Sequence, residues 1–297
     1  MIETVFYFLW EVNLIMFIQT TFPDFAFEFF KIIADVVSKN ILAFLFISIY
    51  LAYNKDWGKF TLLSLGVAGV CCEFVKVCVA RLRPYAVVDK VKCMYPNEPN
   101  HDPLNFKIQG YSFPSGHVMM ATNLFLAIPI YIKNSLYFAI GLIGVFIVAI
   151  SRVGLGVHFP TDAIAGFIIA LVIILILSRI FDKIENRAYL YLGIIALSLV
   201  GIVFCPVMSY IKYVALILGI SLGFLFEEKY VNFEDPKSRR DAIVRFAGAI
   251  ILFALLFVAI PKLAGNTDLV KCIVHFLSTF IILAVYPLAF KKIDRDG

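Results

Sequence analysis

Charge is what this sequence has least of. Only 16% of its 297 residues are Asp, Glu, Lys or Arg, against 62% hydrophobic, and the mean hydropathy is +0.92. A soluble domain carries roughly a quarter charged residues and about half apolar ones. A water-facing globule is therefore excluded, and a polytopic membrane protein is indicated. The net charge of +5 is too small to suggest a nucleic-acid partner. Six cysteines are present without a C-x-x-C pair. Cys71, Cys72 and Cys78 share one apolar run and read as small buried side chains, not as metal or redox groups. Internal repeats and low-complexity stretches are also lacking. Residues 1–22 have no basic stretch ahead of an apolar one and no small-residue cleavage site, and Glu3 and Glu11 interrupt them. These features speak against a cleaved signal peptide and for an amphipathic helix lying in the membrane interface.

What is abundant is apolar sequence in span-length pieces. A membrane-crossing helix needs ~20 mostly apolar residues. Such segments fall at residues 24–53, 59–83, 116–132, 135–152 and 160–180, which would form a five-span core. Four more fall at 188–207, 210–226, 242–261 and 268–290. The expected fold is an all-α polytopic membrane helix bundle, with 1–22 as an interfacial helix, 23–186 as a catalytic core and 187–297 as a transmembrane extension. Lys55 and Lys59, Lys133, the Arg179–Arg187 loop, the Lys229–Arg240 loop and the tail Lys291, Lys292 and Arg295 fall on one set of loops. The excess of Lys and Arg places that set in the cytoplasm. The ends bearing Arg83, Ser115 and His158 would then face the other side.

Against this apolar background the ionisable residues cluster. Charged groups at membrane depth are costly and usually mark a working site. In KVCVARLRP, Lys76 and Arg83 are seven residues apart, two helical turns, so they share a face, while Arg81 points elsewhere. Two cations on one face suit an anion, and Arg83 can grip phosphate bidentately. In YSFPSGHV, Ser115 sits at a helix start, and Gly116 allows close approach of a ligand. The free N–H groups of such a helix N-terminus cradle phosphate, and His117 can protonate a leaving oxygen. In SRVGLGVHFPTD, Gly154 and Gly156 allow a turn between Arg152 and His158, and Asp162 follows His158 by four residues. The carboxylate can then fix the imidazole tautomer and leave the other nitrogen free to attack, with Arg152 completing the anion clamp. No carboxylate cluster suited to a divalent metal accompanies these residues, so neither metal nor cofactor is expected.

The three motifs in order, K-x6-RP, PSGH and SR-x5-H-x3-D, resemble the type 2 phosphatidic acid phosphatase (PAP2) superfamily, in its membrane lipid phosphatase branch. The resemblance covers residues 76–162 and the surrounding spans, and says nothing of residues 188–297. It implies a metal-independent phosphatase in which His158 forms a phosphohistidine, Asp162 orients it, and His117 protonates the leaving group. Lys76, Arg83, Ser115, Gly116 and Arg152 would hold the phosphoryl oxygens. The expected substrate is a lipid phosphate, phosphatidate-like or an isoprenoid pyrophosphate, and the expected location is a bacterial cytoplasmic membrane with the site on its extracytoplasmic face. The motifs read the phosphate and not the tail. They are equally compatible with a lipid phosphotransferase using the same phosphohistidine, while the extra spans raise a non-catalytic lipid-binding or transport protein. No protein partner is indicated.

Overall fold

A computed structural model describes residues 5–37, 39–96, 101–260, 263, 265 and 267–290. Glu3 and the tail residues Lys291, Lys292 and Arg295 lie outside it. Among the described residues the regular elements are helices: α1 (Leu9–Thr21), α2 (Asp24–Val36), α3 (Lys39–Ala52), α4 (Lys55–Val79), the single turns α5 (Pro84–Val87) and α6 (Phe106–Gln109), α7 (Gly116–Tyr131), α8 (Ser135–Gly154), α9 (Pro160–Ile180), α10 (Arg187–Phe204), α11 (Met208–Phe226), α12 (Arg239–Phe253) and α13 (Asp268–Phe280). Three of these run on into π-helical stretches, at Glu227–Val231, Ala254–Ala259 and Ile281–Val285.

Six of the nine expected spans are described helices long and apolar enough to cross a bilayer, at Lys55–Val79, Ser135–Gly154, Pro160–Ile180, Arg187–Phe204, Met208–Val231 and Asp268–Ala289. The other three take different forms. The single helix expected over residues 24–53 is divided into α2 and α3. The segment 116–132 forms α7, with 16 residues. At ~1.5 Å per residue, α7 falls several Å short of a hydrocarbon core ~30 Å thick. The segment 242–261 begins as α12 and passes into a π-helical stretch.

The chain forms two compact units. One comprises residues 1–39 and 71–175, the other 40–70 and 176–297. The first holds all three motifs. Its core gathers Val12, Ile15 and Ile18 of α1, Phe27 and Phe30 of α2, Val118 and Leu126 of α7, Val145 and Val153 of α8, and Leu155, Val157 and Phe159 from the turn that follows. The expectation of an amphipathic α1 is not met. Trp10, Leu14 and Phe17 are exposed while Val12, Ile15 and Ile18 are buried, so apolar side chains occupy both sides of the helix. Cys72 is buried as expected, but Cys78 is exposed, and no disulfide joins the described cysteines.

The second unit contains a buried ion network. Lys55 and Lys59 both reach Glu227 at 2.7 Å, and Lys59 also reaches Glu228 at 2.8 Å. Tyr191 donates to Glu228 at 2.9 Å, and the Phe233 N–H donates to Glu227 at 3.2 Å. The Lys59 and Glu227 side chains are only 1% and 0% exposed. Removing one member of such a group leaves charge buried without compensation, which costs about 3–5 kcal/mol. Glu227→Ala strips Lys55 of its carboxylate and leaves Lys59 with Glu228 alone. A clear fall in the Tm of the detergent-solubilised protein is expected, and an unchanged Tm would show the network to be energetically neutral.

Candidate active site

α4 ends earlier than the sequence spacing implied. Ala80 takes a left-handed conformation, φ +48, and its N–H makes the last helical bond to the Lys76 carbonyl at 2.8 Å. The chain then runs extended through Arg83, the N-cap of α5, with Pro84 at the first helical position. Lys76 and Arg83 therefore do not share a helix face. Pro84 was the signal for this, because proline disfavours helical conformation in the residue before it. Both cations nevertheless reach one place, since Lys76, Arg83 and Arg152 all act electrostatically on both His117 and His158.

Arg83 is buried and held by backbone carbonyls. Its Nε donates to Gly110 at 2.9 Å, Nη1 to Val157 at 2.9 Å, and Nη2 to Gln109 at 2.9 Å and Tyr111 at 3.4 Å. It thus pins the segment leading to PSGH and the turn carrying His158 to one point. Lys76 lies 3.5 Å from Glu73. A Cβ added to Gly116 would sit 3.8 Å from Lys76 Nζ, an ordinary contact distance, so that ammonium lies beside the start of α7.

Ser115 occupies the N-cap position of α7, but its side chain makes no capping bond. Its Oγ is buried without a hydrogen-bond partner, while its N–H donates to the Asp162 carbonyl at 2.9 Å. A buried hydroxyl beside free helix N–H groups is a donor set suited to an oxyanion. α9 approaches closely because residue 166 is glycine: a Cβ there would lie 2.6 Å from the Ser115 carbonyl.

His158 sits in the turn between α8 and α9, 1% exposed, with Nδ1 3.6 Å from Asp162 Oδ2. The expected pairing is therefore one of charge proximity, longer than a hydrogen bond. Asp162 Oδ2 instead accepts from Ser112 Oγ and, at 2.7 Å, from the Phe159 N–H. Burial first, then the charges of Arg83, Arg152 and Lys76, hold the His158 imidazole well below the ordinary histidine value of 6.5. These influences favour the neutral ring.

The sequence reading missed Arg81. Its guanidinium is buried between the rings of Phe6 and Phe159, at 4.5 and 4.0 Å from their centroids. It donates through Nη1 to Asp162 at 2.6 Å and through Nη2 to Glu11 at 2.9 Å. Glu11 had registered only as an interruption of an apolar stretch. Its burial in α1 was signalled by the same rule that flagged the motifs, the cost of charge among apolar residues. Among the described residues, no group of three or more His, Cys, Asp or Glu side chains is arranged to hold a metal ion.

Comparison with known proteins adds the family. Residues 57–186 match the PAP2 superfamily, and residues 211–295 match the PAP2 superfamily phosphatase, transmembrane extension. The chain is a PAP2 superfamily member with that extension. It is 31% identical over 145 residues to Phosphatidylglycerophosphatase B of Bacillus subtilis (strain 168), covering 45% of this chain and 63% of that one. It is 32% identical over 120 residues to Undecaprenyl-diphosphatase of Sulfolobus acidocaldarius, covering 39% and 51%. The chain thus spans less than two thirds of the length of either. The crystal structure of a transmembrane PAP2 type phosphatidylglycerolphosphate phosphatase from Bacillus subtilis overlays with a TM-score of 0.46 at 24% identity, covering 60% of this chain and 86% of that one.

The turn that presents His158 depends on Gly156. This residue has φ +76, and a Cβ there would meet the Lys92 carbonyl at 2.2 Å and Gln19 Nε2 at 2.8 Å. Left-handed conformation alone costs a non-glycine residue roughly 1–2 kcal/mol, and the clash with backbone adds to it. Gly156→Ala is expected to lower the thermal unfolding temperature measurably. A variant as stable as wild type would show that the turn has another conformation available.

Proposed function

We propose that this protein is an integral membrane lipid phosphatase that hydrolyses a phosphate mono- or diphosphate ester of a lipid through a phosphohistidine, without a metal ion. The observation that carries the reading is the convergence of two histidines, three cations and the α7 N-terminus within one buried site. Residues 23–186 form the catalytic core, 1–22 an interfacial helix and 187–297 the extension. The site faces the extracytoplasmic side of a bacterial cytoplasmic membrane, as the distribution of Lys and Arg among the loops supports. The printed names of the two relatives support a phosphorylated or diphosphorylated lipid as substrate.

In this reading His158 Nε2 attacks phosphorus, and the bond to the leaving oxygen breaks. His117, half-buried at the mouth of α7, is protonated once the negative charge of the bound phosphate offsets the neighbouring cations, and it gives that oxygen its proton. His117 then takes a proton from water as the water oxygen attacks the phosphoryl group. The P–N bond breaks, and inorganic phosphate and neutral His158 are released. Lys76, Arg83, Arg152, the Ser115 hydroxyl and the N–H groups at Gly116 and His117 hold the phosphoryl oxygens. Phosphoryl transfer needs chiefly positioning and charge stabilisation, and preset donors supply both. The negative charge of Asp162 favours the cationic ring that forms on attack.

The test is phosphate release by the purified full chain from a panel of phosphatidate, phosphatidylglycerophosphate and an isoprenoid diphosphate. Turnover of at least one is expected, unaffected by EDTA, and His158→Ala should lose both turnover and the acid-labile phosphoprotein. Full activity in that variant, or a strict requirement for Mg²⁺, would overturn the reading. The pH profile offers a second check. Because burial and the neighbouring cations depress the His158 titration, the neutral ring persists below pH 6.5. After correction for the ionisation of the substrate itself, the acid limb of kcat/KM should therefore lie below 6.5. A limb above that value would mean that the free site does not hold His158 neutral.

A further inference from the structure

The orienting carboxylate is not isolated. Asp162 forms a buried ion pair with Arg81, and a lone pair of that kind is neutral overall. It would have little negative charge left to offer a ring that becomes cationic on attack. The structure supplies a second carboxylate. Glu11, 0% exposed, takes the other terminal nitrogen of Arg81. Thr161 links the two, accepting from Arg81 Nη1 at 2.7 Å and donating to Glu11 Oε1 at 2.5 Å. The Thr161 N–H also donates to Glu11 Oε1 at 3.2 Å, and the Phe8 N–H donates to Oε2 at 2.8 Å. Arg81 Nε is occupied by the Phe6 carbonyl at 3.0 Å. Every charged member is at most 1% exposed at its side chain, so the charges are poorly screened by solvent.

We propose that Glu11 is a positioning residue of the reaction: by sharing Arg81 with Asp162, it leaves the three-residue group with a net single negative charge, held beside His158. Two carboxylates and one guanidinium give that charge, and the contact through which it acts is the 3.6 Å approach of Asp162 Oδ2 to His158 Nδ1. Asp162 does not depend on Arg81 alone for its placement, because Ser112 Oγ and the Phe159 N–H also hold it. Arg81 carries the electrostatic link, and α1 becomes part of the site. Glu11 lies outside residues 57–186, the segment matched to the superfamily domain. The inference rests on His158 being the nucleophile.

The charge argument has a discriminating test. Glu11→Gln keeps the shape and an acceptor for Arg81 but makes the group neutral, whereas Glu11→Gln combined with Arg81→Gln restores the net single negative charge on Asp162. Steady-state phosphate release would be measured on the lipid of the panel with the highest turnover, alongside His158→Ala and thermal unfolding of each variant. Glu11→Gln is expected to lower kcat about tenfold with KM within about twofold of wild type, because the phosphate clamp is untouched. The double variant should recover most of that loss. A Glu11→Gln protein with wild-type kcat, a loss confined to KM, or a folded double variant slower than the single one would overturn the proposal. If Glu11→Gln does not fold, the double variant, which leaves neither member of the Glu11–Arg81 pair as an unpartnered ion, is read directly against wild type. A rate within about threefold of wild type supports the proposal, and a folded protein about tenfold slower or more sinks it. Activity retained by His158→Ala would instead remove the nucleophile on which both readings stand.

Discussion

A guanidinium withdrawn from water has to be surrounded by carboxylates and carbonyls, or the protein that buries it will not hold together. Much of the first compact unit is arranged around that requirement, as Arg81 and Arg83 show. Arg83 gathers four backbone carbonyls from the segment before α7 and the turn after α8. Arg81 gathers Glu11, Asp162, Thr161 and the Phe6 carbonyl. Segments distant in sequence are fixed to one another because each supplies an oxygen that a buried cation cannot do without. The proposed chemistry uses the same economy: cations that organise the backbone also set the potential at the histidines.

That arrangement divides labour among the cations. Arg81 is paired with the Glu11 and Asp162 carboxylates, whereas Lys76, Arg83 and Arg152 act on both histidine rings. Ser115 departs from ordinary capping in a way that fits. A hydroxyl that bonded back to its own helix would have satisfied one of the free N–H groups. Here the hydroxyl and the first-turn N–H groups stay available together.

Much of this could be read from the residues alone. The three motifs stand out because ionisable groups are rare in an apolar chain, and six of the nine apolar segments form helices of crossing length. What could not be read had local causes. The facing of Lys76 and Arg83 was inferred from a helix that stops at Val79, where Ala80 turns left-handed. Glu11 and Arg81 are 70 residues apart, and nothing in their spacing joins them, because tertiary packing brings α1 to the end of α4 and the start of α9. The apolar residues of α1 were expected to define one face, but they surround the helix. The 3.6 Å gap between His158 and Asp162 reflects competition from Ser112 and the Phe159 N–H, which side-chain spacing does not register.

The burial of Glu11 also sets an order of events during synthesis. The residue emerges from the ribosome 70 positions before Arg81 and 150 before Thr161. Until both have followed, the nascent chain holds a carboxylate in an apolar helix with no cation to meet it. α1 therefore cannot settle into its final place while only the early spans exist. The start of α9 must be made before those contacts can form. An early element thus depends for its native contacts on residues made much later in synthesis.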